Sequence, residues 1–290
     1  MMTSKPLLRI APLALALSAC QATSLPSGAF TALSYNVHGL PSAITGDDTT
    51  GRMEQIAPLL PGFEVLGIQE DFMEVNHAIL EADLPGPTSH WFSEPLDSSR
   101  VFGSGLSLFA TFEDTAHRHE HYTTCNGTLD AASDCMASKG FQAIRLSLAE
   151  DVEVDVYNTH LEAGGSDEDN AAREAQIEQL IDSLHGWSAG RAIVFLGDFN
   201  LRPSEPEDAP LLDRLLDDGA LRDSCDEVGC DEPDHIDRVL LRSGAGVELE
   251  ALAWAVQMQF VDDDGLDLSD HPAVSAEIGW RVPDAGSPND

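Results

Sequence analysis

Basic side chains are scarce in this chain. Its 290 residues include 15 lysines and arginines against 51 aspartates and glutamates, which gives a formal net charge of -36. Nucleic acids and anionic membrane surfaces are repelled by such a field at ordinary salt, because lysine and arginine supply most of the affinity for phosphates. The composition therefore argues against a broad nucleic-acid-binding surface. A high-salt or marine habitat, where salt screens the self-repulsion, explains the acidity without any specific cationic partner.

Long apolar runs are also missing. The apolar run Ile10–Ala19 is much shorter than the roughly 20 residues that a membrane-spanning helix needs. The hydrophobic share of 42% is typical of globular proteins. The length allows one large or two ordinary domains. Since the sequence shows no composition break, long linker or internal repeat, we expect a single domain.

The N-terminal segment has the layout of a secretory signal. Lys5 and Arg9 accompany the short apolar run, which ends at Cys20. The Leu-Ser-Ala-Cys motif that ends there resembles a bacterial lipobox, in which Cys20 is lipidated and becomes the first mature residue. Gln21 then favours, by the same resemblance, the outer membrane of a Gram-negative cell. We expect a signal at residues 1–19, a tether at 20–29 and an exported, lipid-anchored protein. An ordinary cleaved signal is the alternative.

Four further cysteines, Cys125, Cys135, Cys225 and Cys230, remain in the expected mature chain. An even number in an exported protein favours disulfides. Local pairing of the first two and of the last two is the simplest of three connectivities. Zinc binding is the alternative, although neither pair has the spacing of a zinc finger.

One apolar stretch, residues 192–200, ends in two oxygen-bearing side chains. It predicts a buried strand followed by Asp198 and Asn200. Residues two apart in a strand point the same way, so these two side chains should project together at its carboxyl end. A carboxylate beside an amide can hold a hydrated metal ion or a phosphate. An ordinary β-turn is the alternative, because Asp and Asn are common turn formers.

Other predicted strand ends carry similar groups, which makes the plain turn improbable. In chain order they are Asn36, Glu70, His160, Asp237, Asp270 and His271. Residues 30–282 thereby show the order Asn-x-His-Gly, Gln-Glu, Asn-Thr-His-Leu, Gly-Asp-Phe-Asn, Ile-Asp-Arg and Ser-Asp-His-Pro, which resembles the endonuclease/exonuclease/phosphatase superfamily. The resemblance implies an α/β (α+β) fold, a four-layer α/β/β/α sandwich of two mixed β-sheets with helices outside. Residues 283–290 should form a mobile tail.

The resemblance also implies Mg²⁺-dependent hydrolysis of a phosphate ester, with Mn²⁺ or another divalent cation as a possible substitute. Asn36 and Glu70 are hard oxygen ligands of the kind Mg²⁺ takes, and Asp270 should lie close to the metal. His271 is the expected general base for the attacking water, because imidazole titrates near neutrality. Asp237 is the expected orienter of that imidazole.

The remaining groups are expected to position water and phosphate. Asp198 would hold the water or the leaving group, and Asn200 would donate a hydrogen bond to a phosphoryl oxygen. By resemblance, His160 donates to the phosphate or protonates the leaving group. Lys139 lies in a Ser-Lys-Gly-Phe sequence similar to the Lys-Gly motif of the neutral sphingomyelinase-like branch, where it would contact the phosphate as a point charge. A surface lysine is the alternative there.

Two sets of histidines lie outside this group. His38 should support the site without acting in it. His117, His119 and His121 share one face of a predicted strand, which favours an exposed edge strand over a transition-metal site.

The sphingomyelinase-like motifs and the acidity favour a lipid or small phosphodiester, hydrolysed by metal-assisted in-line attack of water. A secreted nuclease is the first alternative, and a catalytically inactive surface-binding protein is the second. The expected partners are the phosphodiester and the membrane that holds the lipid anchor. No obligate protein partner is evident.

Overall fold

The computed structural model describes residues 25–127 and 135–284. The expected signal at 1–19 and residues 20–24 of the expected tether, including Cys20, lie outside the described residues, as do residues 285–290 of the expected tail. Within the described ranges, no helix is long and apolar enough to cross a membrane.

The described ranges contain strands and helices in alternating groups. The strands are β1 Ser27–Asn36, β2 Val65–Gln69, β3 Thr88–Phe92, β4 Leu106–Ala110, β5 Asp114–His121, β6 Gly140–Ala149, β7 Val152–His160, β8 Ile193–Asp198, β9 Arg222–Asp223, β10 Asp237–Arg242, β11 Glu248–Val256 and β12 Val274–Arg281. The helices are α1 Ser42–Thr45, α2 Thr49–Ile56, α3 Glu74–Glu81, α4 Asp167–Gly186, α5 Ala209–Gly219 and α6 Ser224–Val228, and a 3-10 helix, Ala57–Gly62, follows α2.

These strands form two six-stranded sheets. The first has the order β11-β12-β1-β2-β4-β3 and the second the order β5-β6-β7-β8-β10-β9. Both are mixed, because β1 with β2 and β7 with β8 are parallel pairs among otherwise antiparallel neighbours. The four-layer sandwich that the sequence predicts is confirmed.

Three apolar clusters hold the layers together. The cluster between the sheets contains Val65, Val156 and Leu196, each fully buried. A second packs α4 and α5 on the outer face of the second sheet, and a third packs α2 and α3 on the first. Burying one aliphatic side chain of this kind stabilises a fold by roughly 1.5–3 kcal/mol. The helices therefore brace the sheets from outside, and the strand ends stay open for polar groups.

The helix boundaries follow local rules. A capping box begins α4, because the Ser166 hydroxyl accepts from the Asp169 N–H at 3.1 Å and the Asp169 carboxylate accepts from the Ser166 N–H at 2.9 Å. Helix α2 stops at Ile56, and a 3-10 helix continues the chain. Pro58 and Pro61 lie in that segment and have no N–H to donate.

Both local disulfides expected from the sequence are present. Cys125 and Cys135 lie 5.4 Å apart at Cα, and Cys225 and Cys230 lie 5.1 Å apart.

Candidate active site

Strand register places three site residues in one row across the second sheet. His160, the last residue of β7, lies opposite Asp198, the last residue of β8, and Asp198 lies opposite Asp237, the first residue of β10. All three are at least 96% buried. The row exists because β7 and β8 run parallel and β10 runs antiparallel, so their polar ends meet at one edge of the sheet.

The first sheet brings Asn36 and Glu70 to the same edge. Asn36 ends β1 opposite Gln69 of β2, and Glu70 follows directly. The Asn36 amide donates to Glu70 Oε1 at 3.1 Å and to Asp198 Oδ2 at 3.1 Å. Asn36 therefore joins the ends of the two sheets.

Glu70 has a left-handed backbone conformation, with φ at 60°, which is uncommon for a residue other than glycine. The next residue, Asp71, is fully buried and fixes the chain after it. Its N–H donates to the Gly105 carbonyl at 2.8 Å, and its Oδ2 accepts from the Ser107 hydroxyl at 2.6 Å and lies 2.6 Å from His77 Nδ1. Sequence reasoning missed this clamp, for which the only signal was an acid beside the Gln-Glu motif.

Gly39 allows the loop after β1 to approach Glu70. A Cβ atom at this position would lie 2.2 Å from the Glu70 carbonyl oxygen. No side chain fits there, which gives a physical reason for the glycine in the Asn-x-His-Gly motif.

The Ser-Asp-His loop is tied to the end of β1. The Ser269 hydroxyl donates to the Asn36 carbonyl at 2.7 Å, and the loop then presents Asp270 and His271. His38 Nδ1 lies 3.3 Å from Asp270 Oδ1 and 3.8 Å from Glu70 Oε2, so His38 stands between two of the expected metal ligands. Asp270 is the most open of these, with a side chain 61% exposed.

His271 is held between two carboxylates. Its Nδ1 lies 2.9 Å from Asp237 Oδ2, and its Nε2 lies 3.7 Å from Asp198 Oδ2. Burial acts to lower the pKa of His271, but the hydrogen bond to Asp237 and the charges of Asp198, Asp237 and Asp270 outweigh it and raise the pKa to about 10. The base and orienter that the sequence predicts are thus brought into direct contact.

Asp198 is the hub of the site. Its Oδ2 faces Asn36, His160 and His271, and its Oδ1 accepts from the Asn200 N–H at 3.0 Å. Burial and the nearby Asp237 carboxylate raise the pKa of Asp198 to about 6. Burial raises the pKa of Asp237 as well.

Asn200 reaches the site by a route that strand alternation does not describe. Strand β8 ends at Asp198, and Asn200 has a left-handed backbone with φ at 49°. The expectation that Asp198 and Asn200 project together from one strand is therefore wrong in its geometry. Both side chains nevertheless line the same cavity.

His160 and Lys139 form a buried pair beside the row. Lys139 Nζ donates to the Leu161 carbonyl at 2.7 Å and lies 3.2 Å from His160 Nε2. Burial and the Lys139 ammonium hold the pKa of His160 well below its usual range. Lys139 is not the surface lysine of the alternative interpretation, since it is 95% buried and lines the cavity.

The donor set fits a hard divalent cation. Glu70 Oε2 is buried and has no hydrogen-bond partner, and burial raises the pKa of this carboxyl. An unpaired carboxylate oxygen is costly to bury, and a bound cation removes that cost. Asn36 in its present orientation directs its amide nitrogen toward the carboxylates, while its oxygen accepts from the His38 N–H at 3.0 Å. Ligation through the Asn36 oxygen would need the amide to rotate.

A second group of possible ligands lies beside the first. Asp198, Asp237 and His271 each offer one atom, and these atoms lie within 4.8 Å of one another. His271 Nδ1 already bonds Asp237 within this group, so a metal bound there through Nδ1 would displace the contact that orients the ring. The geometry favours proton transfer for this trio and metal binding for the Glu70 side.

A cavity of about 480 Å³ opens from these polar groups, and one part of its wall is apolar. Glu70, Lys139, His160, Asp198, Asn200 and His271 line the polar part, and the apolar part is lined chiefly by Leu40, Ile44, Phe72, Phe102 and Met136. Sequence reasoning missed this wall. Two of its members adjoin recognised motifs, since Leu40 follows Asn-x-His-Gly and Phe72 lies two residues after Glu70.

The histidine-rich strand lies elsewhere. β5 is at the edge of the second sheet, as the sequence predicts, and its histidines pack against β3 of the first sheet. His117 stacks on His90 with ring centroids 4.3 Å apart, and His119 stacks on Phe92 at 4.2 Å. None of the β5 histidines belongs to the three-ligand group found in the described ranges.

One family model matches the middle of the chain. Residues 94–222 match the family model described as Endonuclease/Exonuclease/phosphatase family 2. Motif order, family model and fold agree, so the resemblance to the endonuclease/exonuclease/phosphatase superfamily is confirmed.

Among individual proteins, the chain is similar to mycobacterial proteins named Sphingomyelinase. Those of Mycobacterium bovis and Mycobacterium tuberculosis are 30% identical to it over 276 residues, which cover 87% of this chain and 53% of the relative. The chain therefore spans about half the length of these relatives.

Solved structures show the same fold. Sphingomyelinase C from Streptomyces griseocarneus has a TM-score of 0.63 at 20% identity, covering 86% of this chain and 99% of that one. A beta toxin mutant from Staphylococcus aureus with bound magnesium ions has a TM-score of 0.63 at 14% identity, with coverage of 86% and 99%.

Proposed function

We propose that this protein is a Mg²⁺-dependent phosphodiesterase that hydrolyses a sphingomyelin-like phospholipid. The observation that carries the proposal is the two-sided cavity, in which hydrolytic groups and an apolar wall share one space of about 480 Å³. A phospholipid has the matching division, because its phosphodiester is polar and the adjoining chains are apolar. The similarity to sphingomyelinases supports the same substrate class.

The proton of the attacking water passes to His271. The ring is fixed by Asp237 at 2.9 Å, which leaves Nε2 facing Asp198 and the cavity. The neutral imidazole is the form that accepts the proton, and the neighbouring carboxylates stabilise the imidazolium that results. With a pKa of about 10 in the metal-free protein the ring is protonated at neutral pH, and the positive charge of a bound cation would lower that pKa toward the working range. As the water oxygen bonds to phosphorus, the bond from phosphorus to the leaving oxygen breaks. The leaving oxygen keeps the electron pair of that bond and takes a proton from solvent water, which reaches the open cavity.

Glu70 and Asp270 would hold the cation, with Asn36 joining after rotation of its amide. When bound, Mg²⁺ supplies Lewis-acid stabilisation of the phosphate charge and lowers the pKa of nearby groups.

The phosphoryl oxygens meet donors from the second sheet. His160 is neutral at pH 7, because burial and Lys139 hold its pKa low, so it is not a source of protons. Its Nε2 accepts from the Lys139 ammonium at 3.2 Å and so helps to hold that charge beside the cavity. Asn200 and Lys139 line the same cavity and contribute an amide and a positive charge.

Anchoring at Cys20 remains part of the proposal. A lipid-anchored enzyme would be exported with its catalytic domain tethered by residues 20–29. Incorporation of radiolabelled palmitate into the wild type and its absence from Cys20→Ser support the anchor, and equal labelling of both proteins contradicts it.

One panel tests the activity. Purified protein is assayed with and without Mg²⁺ on sphingomyelin, bis-p-nitrophenyl phosphate and plasmid DNA. We expect metal-dependent turnover of sphingomyelin. Plasmid nicking without turnover of either other substrate would establish the nuclease alternative, and no metal-dependent turnover at all would favour an inactive binding protein.

A further inference from the structure

We propose that a second cleft, next to the catalytic cavity, binds the quaternary ammonium group of a choline headgroup. The cleft has a volume of about 330 Å³ and is lined by the loop before β10, the end of β11 and the start of β12. It shares Asp270 and His271 with the catalytic cavity. This inference rests on the proposed function, since it assigns the headgroup of the same substrate.

The cleft lies where the second substituent of the phosphodiester would extend from the reacting phosphate. A phosphodiester attacked beside His271 has two substituents, and the apolar wall of the catalytic cavity suits only the lipid one. The other substituent needs a separate space that begins at the reacting phosphate. Because Asp270 and His271 line both spaces, the cleft begins where the headgroup leaves the phosphate.

The lining of the cleft suits methylated nitrogen. Trp254 presents an indole, whose π-system attracts cations and binds quaternary ammonium groups especially well. Pro233, Val256 and Val274 supply apolar surface for the methyl groups. A trimethylammonium group donates no hydrogen bonds, so it is recognised by such surfaces rather than by directional acceptors.

The charge of the cleft has the matching sign. Glu232, Asp234, Asp237 and Asp270 lie in its lining, against the cationic or titratable Arg202, His235 and His271. Arg202 Nη1 lies 3.9 Å from Asp234 Oδ2 and offsets that carboxylate. Asp237 Oδ1 is buried and has no hydrogen-bond partner. A diffuse cation close to these oxygens reduces the cost of that unpaired acceptor.

The test compares two p-nitrophenyl phosphodiesters that undergo the same hydrolysis, of which only one carries a choline group. Wild type, Trp254→Leu, Trp254→Phe and Glu232→Gln are assayed with Mg²⁺ on p-nitrophenyl phosphorylcholine and on bis-p-nitrophenyl phosphate, which has no choline. We expect Trp254→Leu to raise the KM for the choline ester about tenfold. Trp254→Phe, which keeps an aromatic ring, should have a KM much closer to that of the wild type, and Glu232→Gln should raise the KM about two- to threefold. The KM for bis-p-nitrophenyl phosphate should stay within twofold. Trp187→Leu, which removes an indole that stacks on Arg145 instead, is the matched control.

Equal changes on both substrates, or no change in Trp254→Leu, would overturn the cleft while leaving the phosphodiesterase intact. Turnover of sphingomyelin and of phosphatidylcholine is then compared, because these lipids share the choline headgroup and differ in their apolar part. Parallel losses on both support headgroup binding, and a loss on sphingomyelin alone places Trp254 beside the ceramide and overturns the proposal.

A binding arm does not depend on turnover. Choline chloride titrated into the wild type should quench tryptophan fluorescence saturably, and equimolar ammonium chloride should not. If choline quenches the fluorescence of a protein that shows no turnover, the choline-binding cleft is supported and the proposed phosphodiesterase activity is rejected. Identical responses to both salts would remove the cleft even if the enzyme is active.

Discussion

The two sheets contribute the same kinds of side chain to the site but leave them in different states. On the first sheet, Glu70 has one oxygen without a hydrogen-bond partner, and the nearby Asp270 is largely open to solvent. On the second, Asp198 and Asp237 are each 99% buried and both face His271. His38 lies beside Glu70 and Asp270, but its Nδ1 is no closer than 3.3 Å to either carboxylate, whereas His271 Nδ1 is 2.9 Å from Asp237 Oδ2 and its ring lies between two buried carboxylates. The looser arrangement is suited to a cation, and the tighter one is suited to moving a proton. The proposed division between metal binding and proton transfer therefore rests on the contacts of these carboxylates rather than on their residue types.

The largest expected effect comes from removing the imidazole. His271→Ala should lower kcat about 10³-fold, because the attacking water loses its base. The Mg²⁺ concentration for half-maximal activity should stay within twofold, as measured by metal titration of the residual rate. Near-normal kcat would remove His271 from the catalytic set, and a large shift of the metal midpoint would erase the distinction between the two sheets.

Removing the hub carboxylate should cost somewhat less. Asp198→Ala is expected to lower kcat about 10²- to 10³-fold, since water and the His271 ring lose a shared partner. It also leaves the Asn36 amide and the Asn200 N–H short of an acceptor, so thermal unfolding should be followed beside activity. Asp198→Asn keeps the shape and serves as the control. Full activity in both variants would contradict the role of Asp198 in positioning the water and the His271 ring.

A substitution at Glu70, on the first sheet, should change the Mg²⁺ requirement of the activity more than its maximal rate. Glu70→Gln is expected to raise the half-maximal Mg²⁺ concentration about tenfold or more, with kcat largely restored at saturation, because a charged oxygen ligand is lost. The measurement is activity against free Mg²⁺. An unchanged titration with a depressed kcat would assign Glu70 to chemistry instead of metal binding.

The pKa of His271 links the second sheet to stability. Its folded value of about 10 lies above the ordinary 6.5, so the native state holds a proton that the unfolded chain releases. The stabilising contribution is complete below pH 6.5 and is lost as pH rises toward 10. In EDTA, the advantage of wild type over His271→Gln in unfolding free energy, a few kcal/mol at pH 6, should shrink across this window. An advantage that grows with pH would have the wrong sign.

The smallest effect is expected at the sheet edges. His117→Ala with His119→Ala should leave kcat/KM within about twofold, because these rings pack between β3 and β5, away from the residues that line the catalytic cavity. A loss comparable to that of His271→Ala would mean that imidazoles outside the site take part in the reaction.

The sequence predicts the polar half of the site well, because parallel strands bring their carboxyl ends to one edge and the motif residues are at those ends. It predicts the apolar wall poorly. Ile44, Phe102 and Met136 come from distant segments with no shared period, and only folding brings them to one cavity. The left-handed backbone at Glu70 was equally hidden, since glutamate has no preference for that conformation, whereas Asn200 is of a residue type that adopts it readily.

The loop contact at Gly39 has a consequence for mutational surveys of this chain. A library scored by activity should lose every residue but glycine at position 39, because any Cβ atom collides with the Glu70 carbonyl oxygen 2.2 Å away. Position 39 would then rank with His271 although it has no side chain to take part in hydrolysis. Engineering of substrate preference should therefore diversify Leu40 and Ile44, which line the cavity, and keep the glycine before them constant.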